Sequence, residues 1–127
     1  MAYTVLLVDD SETIRMAMIR AFTMAKLPMD EVIQASDGLR AMEVLRERWV
    51  DMVLTDINMP NMGGMELVAA MKGDSELSDI PVAVISTEGS DARIQELKAK
   101  GIAGYLRKPC KPEDIRDLLH KTLGEWK

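Results

Sequence analysis

The sequence predicts an α/β domain built on a doubly wound, five-stranded parallel sheet in the order 2-1-3-4-5, with five helices. Three observations predict it. The runs Val5-Leu6-Leu7-Val8, Met52-Val53-Leu54 and Val82-Ala83-Val84-Ile85 are continuously apolar, as strands buried on both faces are. Segments with helical spacing of apolar residues lie between them, and alternating β and α elements imply a parallel sheet covered on both sides. Right-handed crossovers leave few strand orders, of which 2-1-3-4-5 is one of two common solutions. The 127 residues suit one domain, 1–127, with no internal repeat, linker or output domain.

The first strand is expected at 3–8, closed by Asp9-Asp10-Ser11. Ile14, Ala17, Met18, Ala21, Phe22 and Ala25 then follow at helical spacing, with an N-cap at Asp10 or Ser11 and a stop at Pro28. A second strand is expected at 31–35. Asp37-Gly38 opens a second helix with Leu39, Met42, Leu45 and Trp49 along one side. The central strand, 51–55, runs into Asp56 and a loop containing Pro60, Gly63 and Gly64. A third helix is expected at 65–72, stopped by Gly73. The fourth strand spans 81–85, with a proline at its first residue, where no ladder bond is lost. A weakly amphipathic helix at 91–100 ends at Gly101, and a short strand follows at 103–106. Pro112 fits the first turn of the last helix, where Ile115, Leu118, Leu119 and Thr122 face inward.

Bulk composition narrows the function. A net charge of −5 argues against general nucleic-acid binding, which needs a basic face. No run is long and apolar enough to span a bilayer, and the N-terminus lacks the basic region of a secretory signal. The one cysteine, Cys110, permits no internal disulfide, so a cytoplasmic setting is expected. Cys110 has no base beside it and reads as an inert thiol, His120 as a packing residue, and Trp49 and Trp126 as packing at element ends. The 11 methionines read mainly as adaptable core filler.

Four polar stretches converge on one rim. In the predicted order the strand ending at Asp56 neighbours the strand before Asp9 and Asp10, and adjacent strands lie about 4.8 Å apart. Two unit charges near 4 Å repel by roughly 4 kcal/mol at an effective dielectric of about 20. A hard divalent cation offsets this, and Mg²⁺ suits one or two carboxylates plus phosphate oxygens. The chain offers no Cys/His cluster for zinc. Ser86 ends the next strand and Lys108 the one beyond, so a hydroxyl and an ammonium reach a group attached to Asp56. A carboxylate nucleophile, a metal and a lysine are what phosphoryl transfer to Asp56 needs. Taken singly, each stretch has a plainer explanation: Asp-Asp before a helix commonly caps it, and a strand-end Asp is often a solvated turn residue. The weight lies in the coincidence of all four.

Val8-Asp9-Asp10-Ser11 with Arg15, Leu54-Thr55-Asp56-Ile57-Asn58-Met59-Pro60, Gly64 with Glu66-Leu67, Ile85-Ser86-Thr87-Glu88 and Gly104-Tyr105-Leu106-Arg107-Lys108-Pro109 together span nearly the whole chain. On these motifs the sequence resembles bacterial response-regulator receiver domains of the stand-alone chemotaxis type, a standard example of the 2-1-3-4-5 order. The resemblance implies that Asp56 accepts a phosphoryl group from a histidine kinase. It implies that Asp10, Asp56 and the Asn58 backbone carbonyl bind Mg²⁺ directly, with Asp9 acting largely through water. Lys108 would pair with the phosphoryl group, with a cis bond to Pro109. Ser86 would swing toward that group and Tyr105 would turn inward, while Asn58 and Glu88 tune hydrolysis. The expected output is protein contact, first with a flagellar motor switch component, with a phosphatase as a further partner. Two departures stand out: Gly63 where the family often has an acid, implying a looser loop, and Cys110 where an aromatic is common.

Rival readings are a phosphorelay intermediate with the same chemistry, a haloacid-dehalogenase-like phosphatase and a flavodoxin-like electron carrier. The phosphatase would need a second acid where Asn58 stands, and usually a cap domain. The electron carrier would need a phosphate-cradling loop after the first strand, where Asp9 and Asp10 repel phosphate.

Overall fold

A computed structural model describes residues 3–27, 29–87, 90–108 and 110–123. The elements run β1 (Tyr3–Val8), α1 (Glu12–Met24), β2 (Met29–Ala35), α2 (Gly38–Glu47), β3 (Met52–Thr55), α3 (Gly64–Lys72), β4 (Val82–Ser86), α4 (Asp91–Ala99), β5 (Gly104–Arg107) and α5 (Pro112–Leu123). All strand pairs are parallel and the order is β2-β1-β3-β4-β5, as expected. Alternate residues of the central strands divide between two cores. Val5, Leu7, Met52, Leu54, Ala83 and Ile85 pack with Phe22 of α1 and Ile115, Leu118 and Leu119 of α5. Leu6, Val8, Val53, Val82 and Val84 pack with residues of α2, α3 and α4. Burial on both faces is why these strands carry no polar alternation.

The element ends show what the sequence pattern missed. α1 is capped by Ser11, not Asp10: the Ser11 side chain accepts from Ile14 N. The helix stops at Met24, and the chain turns through Lys26 in the left-handed region (φ 57°), so local backbone conformation ends it before Pro28 is reached. β2 begins at Met29 because its pairing with β1 extends that far, opposite Tyr3. β5 is shifted one residue, to Gly104–Arg107. It is a half-buried edge strand whose apolar content marks its bounds poorly. Gly101 does take a left-handed conformation (φ 88°) just beyond the α4 cap.

The expected apolar side of α2 needs correction. Its buried stripe is Gly38, Ala41, Met42 and Leu45. At about 100° per residue, Leu39 lies about 60° beyond the edge of that stripe. It is accordingly 51% exposed. Trp49 follows the helix end, has left its face and is 63% exposed; it is not a packing residue. Thr122 is half-buried, whereas Ile115, Leu118 and Leu119 are buried as expected. Among the described residues no helix is long and apolar enough to cross a membrane.

Candidate functional site

The register of the sheet builds the site. Val8 of β1 pairs with Thr55 of β3, so the next residue on each strand, Asp9 and Asp56, leaves the sheet side by side. The ladder extends one step further: Asp56 N donates to Val8 O at 3.0 Å, and Asp9 N donates to Ala35 O at 3.1 Å. On the other flank Ser86 pairs with Arg107, and Lys108 N donates to Ser86 O at 2.9 Å. The backbone thus delivers Asp9, Asp56, Ser86 and Lys108 to one carboxyl edge, where ligands of such sheets bind.

Lys108 Nζ lies 2.6 Å from Asp9 Oδ2 and 3.3 Å from Asp56 Oδ2. Asp9 Oδ1 accepts from Ser11 N at 2.9 Å, and Asp56 Oδ1 from Ile57 N at 2.7 Å. Each acid therefore has one oxygen held by backbone and the other facing the ammonium. The Lys108 side chain is only 13% exposed. Burial alone would push its pKa down, but the hydrogen bond with Asp9 and the charges of Asp56 and Asp9 outweigh that and hold it above the ordinary lysine value.

One carboxylate oxygen from each of Asp9, Asp10 and Asp56 lies within 4.8 Å of the others. An octahedral Mg²⁺ with bonds of about 2.1 Å spaces its ligands about 3 to 4.2 Å apart, so an all-oxygen cluster of this size is compatible with such an ion. Asp10 is exposed and open to solvent, while Asp9 is buried and already bonded to Lys108. That division fits an ion held directly by Asp10 and Asp56, with Asp9 one shell back.

The other expected site residues are placed as follows. Ser86 is fully buried at the end of β4. Asn58 is exposed, two residues beyond Asp56. Tyr105 is half-buried on β5, packed against the core beneath α2, α3 and α4. Glu88, the Lys108–Pro109 bond, Pro28 and Trp126 lie outside the described residues. Cys110 is half-buried at the edge of an apolar cavity of about 340 Å³ that Ile14, Ala17 and Met18 also line. Burial and Asp114 push its thiol up, against a smaller lowering by Lys108, which suits an inert side chain.

Two supporting contacts were not legible as such. Arg15 Nη1 donates to the Asp9 carbonyl at 2.6 Å and Nε to Gln34 Oε1 at 2.9 Å, bracing the turn that carries the acids against β2. Asp37, read only as a helix opening, also accepts from Asn61 Nδ2 at 2.8 Å. The Asp–Gly sequence at 37–38 signalled a cap, but nothing local signalled its partner 24 residues on. The glycines of the β3–α3 loop serve close approach: a Cβ at Gly64 would land on the Asp56 carbonyl oxygen, and one at Gly63 would meet Ile57 O at 2.8 Å.

Comparison with known proteins agrees with this geometry. The family model for the response regulator receiver domain matches residues 5–120, and the chain belongs to that family: it is a receiver domain of two-component signalling. Within the family it is 37% identical to chemotaxis protein CheY1 of Helicobacter pylori, over 94% of this chain and 95% of that protein. It is 34% identical to a CheY homolog of Campylobacter jejuni, over 94% and 91%. It is also 37% identical to the rice two-component response regulator ORR3, over 94% and 89%. Among solved structures, CheY4 of Vibrio cholerae superposes with a TM-score of 0.84 at 34% identity, covering 96% of this chain and 99% of that one.

Proposed function

We propose that the chain is a phosphorylation-switched signalling domain that takes a phosphoryl group from a histidine kinase onto Asp56. The single observation that carries this is the ammonium of Lys108 set between Asp9 and Asp56, beside the open carboxylate of Asp10. Three carboxylates and one ammonium leave the site net negative, an arrangement that accepts a further anion only with a bound cation. Asp10, Asp56 and the Asn58 backbone carbonyl would hold Mg²⁺, which supplies charge neutralisation for the transferring phosphoryl oxygens.

In the reaction an Asp56 carboxylate oxygen attacks phosphorus. The P–N bond of the phosphohistidine breaks, and its electron pair stays on the imidazole nitrogen, which takes a proton from solvent. Lys108 then moves its hydrogen bonds from Asp9 to the phosphoryl oxygens. Ser86, at the end of the adjacent strand, donates its hydroxyl to the modified group. Tyr105, on the strand that leads to Lys108, carries the change to the face formed by α4, β5 and α5. Hydrolysis returns Asp56 and inorganic phosphate, at a rate that Asn58 and Glu88 would tune.

The chemotaxis relatives support a role in chemotaxis, and the same proposal takes output as protein contact with a flagellar motor switch component, a phosphatase that resets the signal, and a cytoplasmic setting. Chemotaxis and plant regulators stand at similar identity, so a phosphorelay intermediate with the same chemistry is the second reading.

The test is labelling from a small acyl phosphate donor. Wild type takes up acid-labile phosphate only with Mg²⁺ present, and Asp56→Asn takes up none. Undiminished labelling of Asp56→Asn moves the acceptor elsewhere. Capture of partners with and without beryllofluoride, a phosphoryl mimic, then separates a motor-switch protein from a histidine phosphotransfer protein.

A further inference from the structure

The loop between β3 and α3 carries Asn58, and hydrogen bonds tie its apex to a third element. Gly64 N donates to Ile57 O at 2.8 Å and closes the base. The apex is instead fixed to the first turn of α2. Asn61 Nδ2 donates to Asp37 Oδ2 at 2.8 Å, and Gly38 N donates to Met62 O at 2.9 Å. Asp37 is buried, and its other oxygen caps α2 by accepting from Arg40 N at 2.9 Å. A Cβ at Gly38 would sit 2.7 Å from Met62 Cγ and 2.8 Å from Met62 O, so the loop rests directly on the helix backbone. Asn61 holds the left-handed conformation (φ 65°), which asparagine adopts more readily than most side-chain-bearing residues, and its hydrogen bond to Asp37 helps to hold it there.

We propose that the Asp37–Asn61 hydrogen bond is a positioning device that sets the Asn58 carbonyl for the cation, making the first turn of α2 a remote support of the metal site. The inference rests on the reading of Asp56 as a phosphoacceptor whose cation is held partly through Asn58. Only Met59 and Pro60 separate Asn58 from Asn61, so a shift of the apex is passed along the loop to that carbonyl. Neither Asp37 nor Asn61 touches the ion; both act through the loop.

The test uses the full chain, with Mg²⁺ affinity measured by calorimetry and the thermal midpoint measured in chelator. Asn61→Asp sets a carboxylate against the buried carboxylate of Asp37 and is expected to weaken Mg²⁺ binding about tenfold, the usual effect of losing an outer support of a metal site. The exchange Asp37→Asn with Asn61→Asp restores the hydrogen bond with donor and acceptor reversed, and the new amide oxygen still caps Arg40 N. It is expected to return the affinity to within about twofold of wild type, a coupling that independent residues would not show. Asn61→Gly keeps the left-handed backbone while removing the amide, and is expected to weaken binding by up to about tenfold, the lower end of the effect of losing an outer support.

A lowered midpoint with unchanged Mg²⁺ affinity in Asn61→Asp, or in Asn61→Gly should the former not fold, overturns the proposal and leaves a purely structural tie. An exchange variant that recovers its midpoint but not its affinity overturns it equally. Asp10→Ala in the same titration separates the two levels. Loss of Mg²⁺ binding there with full binding in Asn61→Asp refutes the positioning role alone. Undiminished binding in Asp10→Ala refutes the metal site itself, and the positioning role with it.

Discussion

Lys108 holds Asp9 more closely than Asp56, at 2.6 Å against 3.3 Å. The ammonium therefore mainly neutralises the buried acid, Asp9, and under the proposed function a phosphoryl group on Asp56 would have to draw it away. Lys108→Ala leaves two poorly exposed carboxylates facing each other without their cation. Breaking such a pair is expected to destabilise the fold by about 3 kcal/mol in chelator, with Mg²⁺ restoring part of the loss. The variant should still take up label at Asp56, but partner binding should no longer depend on it. Urea unfolding with and without Mg²⁺ checks the first expectation; partner binding that still responds to phosphorylation contradicts the second.

Asp10 makes the opposite prediction about stability. It adds a third negative charge within 4.8 Å of two others and, being exposed, returns little packing. Asp10→Ala should raise the stability of the cation-free protein by about 1 kcal/mol, through relief of screened repulsion. For a chain of this size that is a rise of about 4 °C in thermal midpoint. The same variant should lose the stabilisation that Mg²⁺ gives wild type. Midpoints measured in chelator and in excess Mg²⁺ check both signs, and a lower midpoint in chelator would show that Asp10 is bound into the fold rather than repelled by it.

The contrast between Lys108 and Leu39 shows what could be read beforehand. Strand order and strand ends follow from continuous apolar runs and handed crossovers, so the placement of Asp9, Asp56, Ser86 and Lys108 at one edge was legible. The exact register was not legible, because strands apolar on both faces carry no alternation to fix it; the structure supplies it by pairing Val8 with Thr55 and Ser86 with Arg107. Leu39 and Trp49 were misplaced because side-chain type does not specify helix phase at the ends of a ten-residue helix. The brace from Arg15 and the tie from Asn61 were hidden for another reason. The first joins a backbone carbonyl six residues back to a glutamine 19 residues on, the second reaches an acid 24 residues back, and neither leaves a periodic trace in the sequence.

Arg15 lies outside the acid cluster but holds the carbonyl of its buried member, Asp9. Its guanidinium spans two acceptors, Asp9 O and Gln34 Oε1, which the point charge of lysine cannot do with the same fixed geometry. Arg15→Ala and Arg15→Lys should therefore both weaken Mg²⁺ binding and slow labelling of Asp56, by about tenfold for alanine and less for lysine. Labelling rates at several Mg²⁺ concentrations distinguish a shifted acid cluster, where excess Mg²⁺ restores the rate, from a role in docking the kinase, where labelling from a small acyl phosphate is unaffected.

Asp37 gives the acid limb of stability a specific source. The Arg40 backbone N–H and the Asn61 amide both favour its carboxylate form, outweighing the burial that opposes it, and hold its pKa below the ordinary value of 3.8. A group whose pKa falls on folding binds protons more readily in the unfolded chain. Its contribution is therefore complete above the unfolded value and is lost as pH falls from there through the folded value. Wild type should hold this contribution at neutral pH and shed it below pH 3.8. Asp37→Asn keeps an oxygen for Arg40 N but cannot titrate, so it should be less stable than wild type at pH 7 and approach it as the pH drops below that value. Denaturant midpoints of the two proteins in chelator, taken from pH 7 down to the acid transition, measure the difference. A gap that stays constant over that range would assign the stabilisation to packing rather than to the charge of Asp37.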